Sequence, residues 1–266
     1  MKRILLTGGS GIIGGHIKKL LGGGSRGVEI VCFDADLTDM SAINDALATA
    51  GPLDGVVHLA AMVATDEVRA DPTRAYAVNV GGTLNLLGAL AKMGQAEHVF
   101  LCSSAHVYAP QSGAIKESAL TEPVSLYGRT KLMAEIVATD ICNTYDIPLC
   151  IGRVFSIHDA KQVGSYLLPN IRKRLANEDL SRPFELYGAD SIRDFLTARN
   201  AAEIIANLVI KHYTGVVNIG SGKPTRIRDF VQKLTRNPLD IRAVGGQNSL
   251  LADTTRLDAF VEVHVE

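Results

Sequence analysis

Short apolar runs alternate with longer amphipathic stretches through the first 155 residues. The runs "RILLTG" (3–8), "VEIVCFD" (28–34), "GVVHLAA" (55–61), "HVFLCSS" (98–104) and "PLCIGRV" (148–154) read as strands buried on both faces. Between them the apolar positions take helical spacing. Ile13, Ile17, Leu20 and Leu21 share one side of a helix that "GGG" (22–24) stops. "MSAINDALATA" (40–50), "GTLNLLGALAKMG" (82–94) and a segment spanning about 126–144 continue the alternation. Strands alternating with helices predict an α/β fold, a doubly wound parallel sheet with helices on both faces.

After residue 155 the rhythm breaks. "PFELYG" and "GVVNIG" have strand character and "RNAAEIIANLVIKHY" has helical character, but their spacing is irregular. The pattern predicts a first domain over 1–155, with later segments returning to it at about 189–215. A smaller, discontinuous lobe over 156–266 would complete a cleft.

Charge changes the picture mainly by exclusion. Formal net charge is −1 with dispersed basic residues, which offers no surface for nucleic acid. No run reaches the roughly 18 apolar residues of a membrane span, and the N-terminus has no long apolar leader, so a soluble, cytoplasmic protein is expected. Cys32, Cys102, Cys142 and Cys150 form no C-x-x-C pair. They read as buried free thiols in a reducing compartment, with no metal site.

"TGGSGIIG" (7–14) places Gly8, Gly11 and Gly14 between the first strand and the first helix, with Ile12 and Ile13 opening that helix. Glycines there let backbone N–H groups approach a pyrophosphate, and the helix N-terminus adds partial positive charge. The second strand ends at Asp34, 20 residues after Gly14, where an acid accepts hydrogen bonds from an adenosine ribose. A carboxylate repels a 2′-phosphate, so NAD is expected over NADP. Asp36-Leu37 follows at once, and either Asp34 or Asp36 could be the ribose ligand.

The strand run over 98–104 leads to the candidate chemistry. Ser104 ends "HVFLCSS", and Tyr127 and Lys131 of "YGRTK" stand one helical turn apart. A free tyrosine with a pKa of about 10 is a poor base at neutral pH. An ammonium beside it and a cationic nicotinamide would favour the phenolate. Tyr127 could then exchange a proton with an alcohol or carbonyl while hydride passes to or from the cofactor, with Ser104 bonded to the reacting oxygen.

The order of "TGGSGIIG", "VVHLAA", "NVGGTLNLL", "SSAHVY", "YGRTK", "GRVFS", "IRDFL" and "NIGSG" resembles the extended short-chain dehydrogenase/reductases, the nucleotide-sugar epimerase, dehydratase and reductase group. The resemblance covers nearly the whole chain and implies a Rossmann-type sheet with a small C-terminal substrate lobe. It implies that Ser104, Tyr127 and Lys131 form a triad. Ala60 and Ala61 would line the cofactor, with Asn79 and Thr83 near it or near an active-site water network. Arg193 would grip a substrate diphosphate. It also implies a homodimer packed through the Tyr/Lys helix and the preceding one, where Leu132, Met133, Ile136 and Val137 belong either to that seam or to the core.

Departures from the family pattern narrow the chemistry. Ala105-His106 replaces the Asp-Glu pair of the 4,6-dehydratases, which argues against dehydration. His106 is either an extra acid/base or a cleft-lining histidine with a structural hydrogen bond, and His58 reads as structural. Ser156 stands where the family has a substrate-binding asparagine, and "SIHDA" lacks the usual aromatic-glycine turn. The expected activity is NAD(P)-dependent hydride transfer at a ring carbon, C4, of a nucleotide-linked sugar, leaning to a 4-epimerase. A 4-keto-6-deoxysugar reductase is the alternative, followed by a uronate-type dehydrogenase or a non-catalytic dinucleotide sensor.

Overall fold

The computed structural model describes residues 1–94 and 96–264. Its first part runs β1 (Lys2–Thr7), α1 (Ile12–Leu21), β2 (Val28–Phe33), α2 (Met40–Ala50), β3 (Gly55–His58), α3 (Thr65–Ala70), α4 (Pro72–Tyr76), α5 (Gly82–Met93), β4 (Val99–Ser104), β5 (Ala114–Ile115), α6 (Leu126–Thr144) and β6 (Leu149–Val154). There follow β7 (Ser156–His158), α7 (Leu167–Asn177), β8 (Phe184–Tyr187), β9 (Ile192–Thr197), α8 (Ala198–Ile210), β10 (Gly215–Ile219), β11 (Pro224–Arg226), α9 (Ile227–Gln232), β12 (Ile241–Val244), β13 (Ser249–Ala252) and α10 (Thr255–His264).

Six parallel strands form the central sheet in the order β10-β6-β4-β3-β1-β2. Ile17 and Leu21 of α1, Ala201, Ile205 and Leu208 of α8, and Leu257 and Phe260 of α10 cover one face. Ile43 and Leu47 of α2, Leu86 and Leu90 of α5, and Ala138 and Cys142 of α6 cover the other. That double cover is why the strands read as apolar runs rather than alternating ones. Helix ends are set locally. Asp39 caps α2 by accepting from Ser41 N and Ala42 N, Ser125 caps α6 through Gly128 N, and Thr197 caps α8 through Asn200 N.

Strand order reverses between β1 and β3, which opens a crevice at the carboxyl ends of those strands. No strand lies outside β2, because only residues 34–39 separate it from α2 and no outer strand has room to form. Cys32 on this edge strand is exposed, against the expectation of a buried thiol, while Cys142 and Cys150 are buried. The remaining strands build a second sheet, β11-β9-β13-β5 with β7 against β9, and a β12-β8 pair.

Three local expectations change. The strand expected over 55–61 stops at His58, because Leu59 N and Ala60 N turn aside to donate to the Thr7 hydroxyl at 3.2 and 3.1 Å. Helices α3 and α4 fill 65–76 and run through a π turn, Ala77–Gly81, into α5, where only α5 was foreseen. The glycines at 22–24 end α1 but begin a 3-10 turn over Gly22–Gly27. Among the described residues, no helix is long and apolar enough to cross a membrane.

A buried ion pair joins α6 to the sheet. Arg153 on β6 grips Glu135 through both nitrogens, Nε to Oε1 at 3.0 Å and Nη2 to Oε2 at 2.7 Å. The Ser103 hydroxyl donates to the same carboxylate, and Arg153 also donates to the Tyr108 hydroxyl at 2.9 Å. Tyr108 in turn donates to Asn218 on β10 at 2.9 Å. Glu135 and the Tyr108 hydroxyl hold the guanidinium well above its usual pKa despite burial. Glu135→Ala strands a buried cation, so it is expected to destabilise the fold by about 3–5 kcal/mol. The measurement is a lowered urea midpoint at unchanged m-value.

Candidate active site

The crevice begins at the glycine loop. Gly8 takes φ +67°, and Gly11 N donates to its carbonyl at 3.0 Å. A Cβ on Gly14 would come within 2.3 Å of Gly8 O, and one on Gly8 within 2.8 Å of Ala60 N. The backbones of the loop, α1 and the segment after β3 are thus pressed together as only glycine permits. Helix α1 has no side-chain cap and no acid in its first turn, which leaves its leading N–H groups for an anion. Ile12 and Ile13 form that first turn, half-buried. The cradle fits a dinucleotide pyrophosphate.

Asp34 and Asp36 separate clearly. Asp36 accepts from Thr38 N and Thr38 Oγ1, both at 2.8 Å, and these bonds hold its carboxyl below the usual range. Asp34 is exposed at the end of β2, and among the described residues its side chain makes no hydrogen bond or ion pair. Leu37 is buried against α5, where Leu37 O accepts from Asn85. Ala60 and Ala61 are half-buried beside the loop. Asn79 is 1% exposed and uses its whole amide within the protein, bonding Met62 N, Met62 O and Thr130 Oγ1. It therefore acts on the segment after β3 through Met62.

Ser104, Tyr127 and Lys131 meet at the carboxyl end of β4. The Ser104 hydroxyl faces the Tyr127 phenol closely enough to favour its ionised form, and it accepts from His106 N at 3.2 Å. Gly128 makes the approach possible, because a Cβ there would stand 2.1 Å from His106 O. Lys131 is 5% exposed, and among the described residues its ammonium has no hydrogen-bond or ion-pair partner. Burial lowers its pKa, opposed by Cys102 and Glu135. Burial also dominates at Tyr127 and pushes the phenol above its usual pKa, opposed by Ser104. The cationic nicotinamide that the expected lowering also calls on is a property of the bound cofactor, and without it desolvation of the phenolate is the largest influence on Tyr127.

His106 lies exposed at the mouth with its ring edge-on to Tyr127, centroids 5.6 Å apart. The surrounding protein and then Arg193 hold its imidazole below the ordinary value. Arg193 donates to Ile192 O at 2.8 Å and Asn248 O at 3.3 Å, with no carboxylate partner among the described residues. Asp194 beside it is fully buried, and bonds from Ser221 and Gly222 fix that part of β9. A cavity of about 610 Å³ opens there, lined by Ile192, Asn248, Gln111 and Arg226. Ser156 begins β7, paired in register with Phe195, and makes no hydrogen bond to the Ser/Tyr/Lys cluster.

Sequence reasoning missed Tyr166 and Cys102. Tyr166 lies close enough to raise the Tyr127 pKa, and Cys102 raises the pKa of both Tyr127 and Lys131. Cys102 stands two residues before Ser104 on one strand face, a period-two signal that could have been read. Tyr166 comes from the irregular half and carried no local signal. Among the described residues no group of three His, Cys, Asp or Glu could hold a metal ion.

Comparison with known proteins places the chain in a family. The model of the NAD dependent epimerase/dehydratase family matches residues 4–220. The UDP-glucose 4-epimerase of Azospirillum brasilense is 28% identical, across 87% of this chain and 76% of that protein. The GDP-6-deoxy-D-talose 4-dehydrogenase of Aggregatibacter actinomycetemcomitans is 32% identical, across 79% and 70%. Among solved structures, RMD of Pseudomonas aeruginosa complexed with NADPH shares the fold with a TM-score of 0.87 at 24% identity, covering 98% of this chain and 93% of that one. A matched span of more than four-fifths of the sequence, ending on the strand that completes the central sheet, makes this chain a member of the NAD dependent epimerase/dehydratase family.

Proposed function

We propose that this enzyme is an NAD-dependent 4-epimerase of a nucleotide-linked sugar. The observation that carries the reading is the Ser104 hydroxyl facing the Tyr127 phenol at the carboxyl end of β4, with Lys131 one turn away and, among the described residues, without a hydrogen-bond or ion-pair partner. NAD, when bound, supplies the acceptor and donor for the hydride of the sugar carbon. Gly8, Gly11 and Gly14 hold its pyrophosphate with the N–H groups of Ile12 and Ile13, Asp34 takes the ribose, and Ala60 and Ala61 line the ring system. The free carboxylate of Asp34 repels a 2′-phosphate and favours NAD.

Tyr127 Oη takes the proton of the sugar hydroxyl and returns it to the same oxygen after the ring has presented its other face. Ser104 Oγ holds that oxygen. Burial keeps the phenol protonated, so its service as a base requires positive charge close by, and Lys131 is this chain's own source. Arg193, lacking a carboxylate, pairs with a diphosphate, and Ser156 and His106 border the sugar. The later segments around these residues form the substrate lobe.

A reductase acting on a 4-keto sugar nucleotide is the second reading. A phenol held protonated is a ready proton donor to a carbonyl, which is what ketone reduction needs. We also propose a cytoplasmic homodimer: Leu84 on α5 and Met133 and Ile136 on the adjoining α6 are 50%, 43% and 53% exposed, an apolar patch that a second copy would cover.

Four outcomes are expected. Denaturing the purified protein releases NAD in equal amount for an epimerase, whereas an empty protein that oxidises NADH only with a 4-keto sugar nucleotide is the reductase. Tyr127→Phe lowers kcat by about 10²–10⁴-fold with NAD affinity kept; unchanged turnover would sink the acid–base role, and a dinucleotide sensor would be indifferent. Gly14→Ala abolishes calorimetric NAD binding, since its Cβ meets Gly8 O. Ile136→Glu shifts sedimentation from dimer to monomer, and a monomeric wild type would remove the dimer.

A further inference from the structure

Five polar side chains, Thr7, His58, Asn79, Thr83 and Thr130, lie in the middle of the fold with no more than 2% of their surface exposed. They come from β1, β3, the π turn, α5 and α6, and they form two runs of hydrogen bonds that meet at Asn79, one ending on its backbone carbonyl and the other starting from its side-chain amide. Thr7 Oγ1 contacts His58 Nδ1 at 2.8 Å, and His58 Nε2 contacts Thr83 Oγ1 at 3.1 Å. Thr83 Oγ1 donates to Asn79 O at 2.7 Å. The Asn79 side chain then donates to Thr130 Oγ1 at 2.9 Å, and Thr130 Oγ1 donates to Tyr127 O at 2.8 Å.

The direction of every proton follows from the partners. Thr7 Oγ1 already accepts from Leu59 N and Ala60 N, which uses both of its lone pairs, so its own proton goes to His58 Nδ1. Thr83 spends its proton on Asn79 O, so it receives one from His58 Nε2–H. His58 is therefore the Nε2–H tautomer, and the donors all point from the glycine loop toward the turn that carries Tyr127. Bonds aligned in this way polarise one another within each run, and the fixed position of Asn79 joins the two. Burial keeps the imidazole neutral by lowering its pKa to about 3, with Lys131 adding to the shift, so the chain does not break through titration near neutral pH.

Apolar residues of like volume would fill this space without the need to satisfy each buried polar atom. What the polar chain does instead is tie two surfaces of one site. At one end, Thr7 immediately precedes Gly8 and holds Leu59 and Ala60 against it, and Asn79 holds Met62 of the same segment. At the other end, Thr130 holds the carbonyl of Tyr127. The π turn, a helical widening that recurs at functional sites, puts Asn79 where it reaches both sides.

We propose that Thr7, His58, Thr83, Asn79 and Thr130 are positioning residues that form a relay, making cofactor affinity at the glycine loop and the placement of Tyr127 interdependent. The consequence for turnover rests on the acid–base role proposed for Tyr127; the consequence for NAD affinity does not. Movement of the loop on loading is transmitted to the helix that presents the tyrosine, and a cut anywhere in the chain is felt at both ends.

The test is calorimetric NAD affinity and kcat of full-length variants. Thr130→Val removes a hydroxyl from α6 that has no bond to the glycine loop, yet it should weaken NAD binding at least about fivefold, the lower end of coupling between sites. Thr130→Ser, which keeps the hydroxyl, should bind NAD as wild type does. Thr139→Val, which removes a hydroxyl bonded only to Glu135 O on the same helix, should change neither quantity. Thr83→Val combined with Thr130→Val should be no worse than the weaker single variant, because one chain is cut twice.

Unchanged NAD affinity in Thr130→Val, failure of serine to rescue, or multiplying effects in the double variant would each overturn the relay. Loss of kcat in Thr130→Val at wild-type affinity would also overturn it, while leaving the role of Tyr127 intact. Undiminished turnover in Tyr127→Phe would instead remove that role and leave the affinity arm to decide the relay. A ¹⁵N spectrum should show His58 with a bare Nδ1 from about pH 5 to about pH 8, and an Nδ1–H signal would reverse the donor direction and end the proposal.

Discussion

The site depends on how closely α6 lies against the end of β4. At Gly128 the helix backbone meets the carbonyl of His106 with no space for a side chain. That contact sets the adjacent Tyr127 against Ser104, and Lys131 three residues on is buried. Deeper in, Glu135 receives both Ser103 and Arg153, so the serine strand, the next strand and the helix share one carboxylate. A hydrogen bond between two side chains from separate elements survives only if the backbones beneath them are fixed, and these two contacts fix them.

Charge is arranged with equal economy. Glu135 answers Arg153, and Asp36 is consumed by Thr38, but Lys131 and Arg193 keep no carboxylate of their own. Both lose solvation on burial, which lowers their pKa values. A desolvated cation without a carboxylate beside it costs free energy until an anion or a polar ligand group reaches it. A phosphate-bearing or hydroxylated ligand would offset that cost, in keeping with the nucleotide-sugar chemistry proposed here. Tyr127 stands in the same desolvated ground, and there the outcome is reversed: an acid that ionises to an anion is held neutral.

Much of this was legible residue by residue. Apolar runs marked the sheet strands to within a few positions, because a strand buried on both faces leaves no other pattern. "TGGSGIIG" announced a tight strand-to-helix loop, and the four-residue spacing of Tyr127 and Lys131 placed them on one helix face. Helices α3 and α4 escaped notice because they are short and mostly polar, and their last turn widens into a π turn that no simple period describes. His58 looked like a structural residue in a strand, and nothing near it in sequence names Thr7 or Thr83 as its partners.

The sequence by itself determined the alternation of strand and helix, the glycine loop, and the order in which Ser104, Tyr127 and Lys131 follow it. Each is a property of neighbours along the chain, set by backbone sterics and side-chain period. Tertiary structure alone decided that β2 is the edge of the sheet, that Asp34 rather than Asp36 keeps a free carboxylate, that the Tyr127 phenol is raised rather than lowered, and that a line of buried hydroxyls leads from the loop to its carbonyl. Solvation and hydrogen-bond direction depend on which distant residues fill the space around a group, and that is known only once the chain has folded.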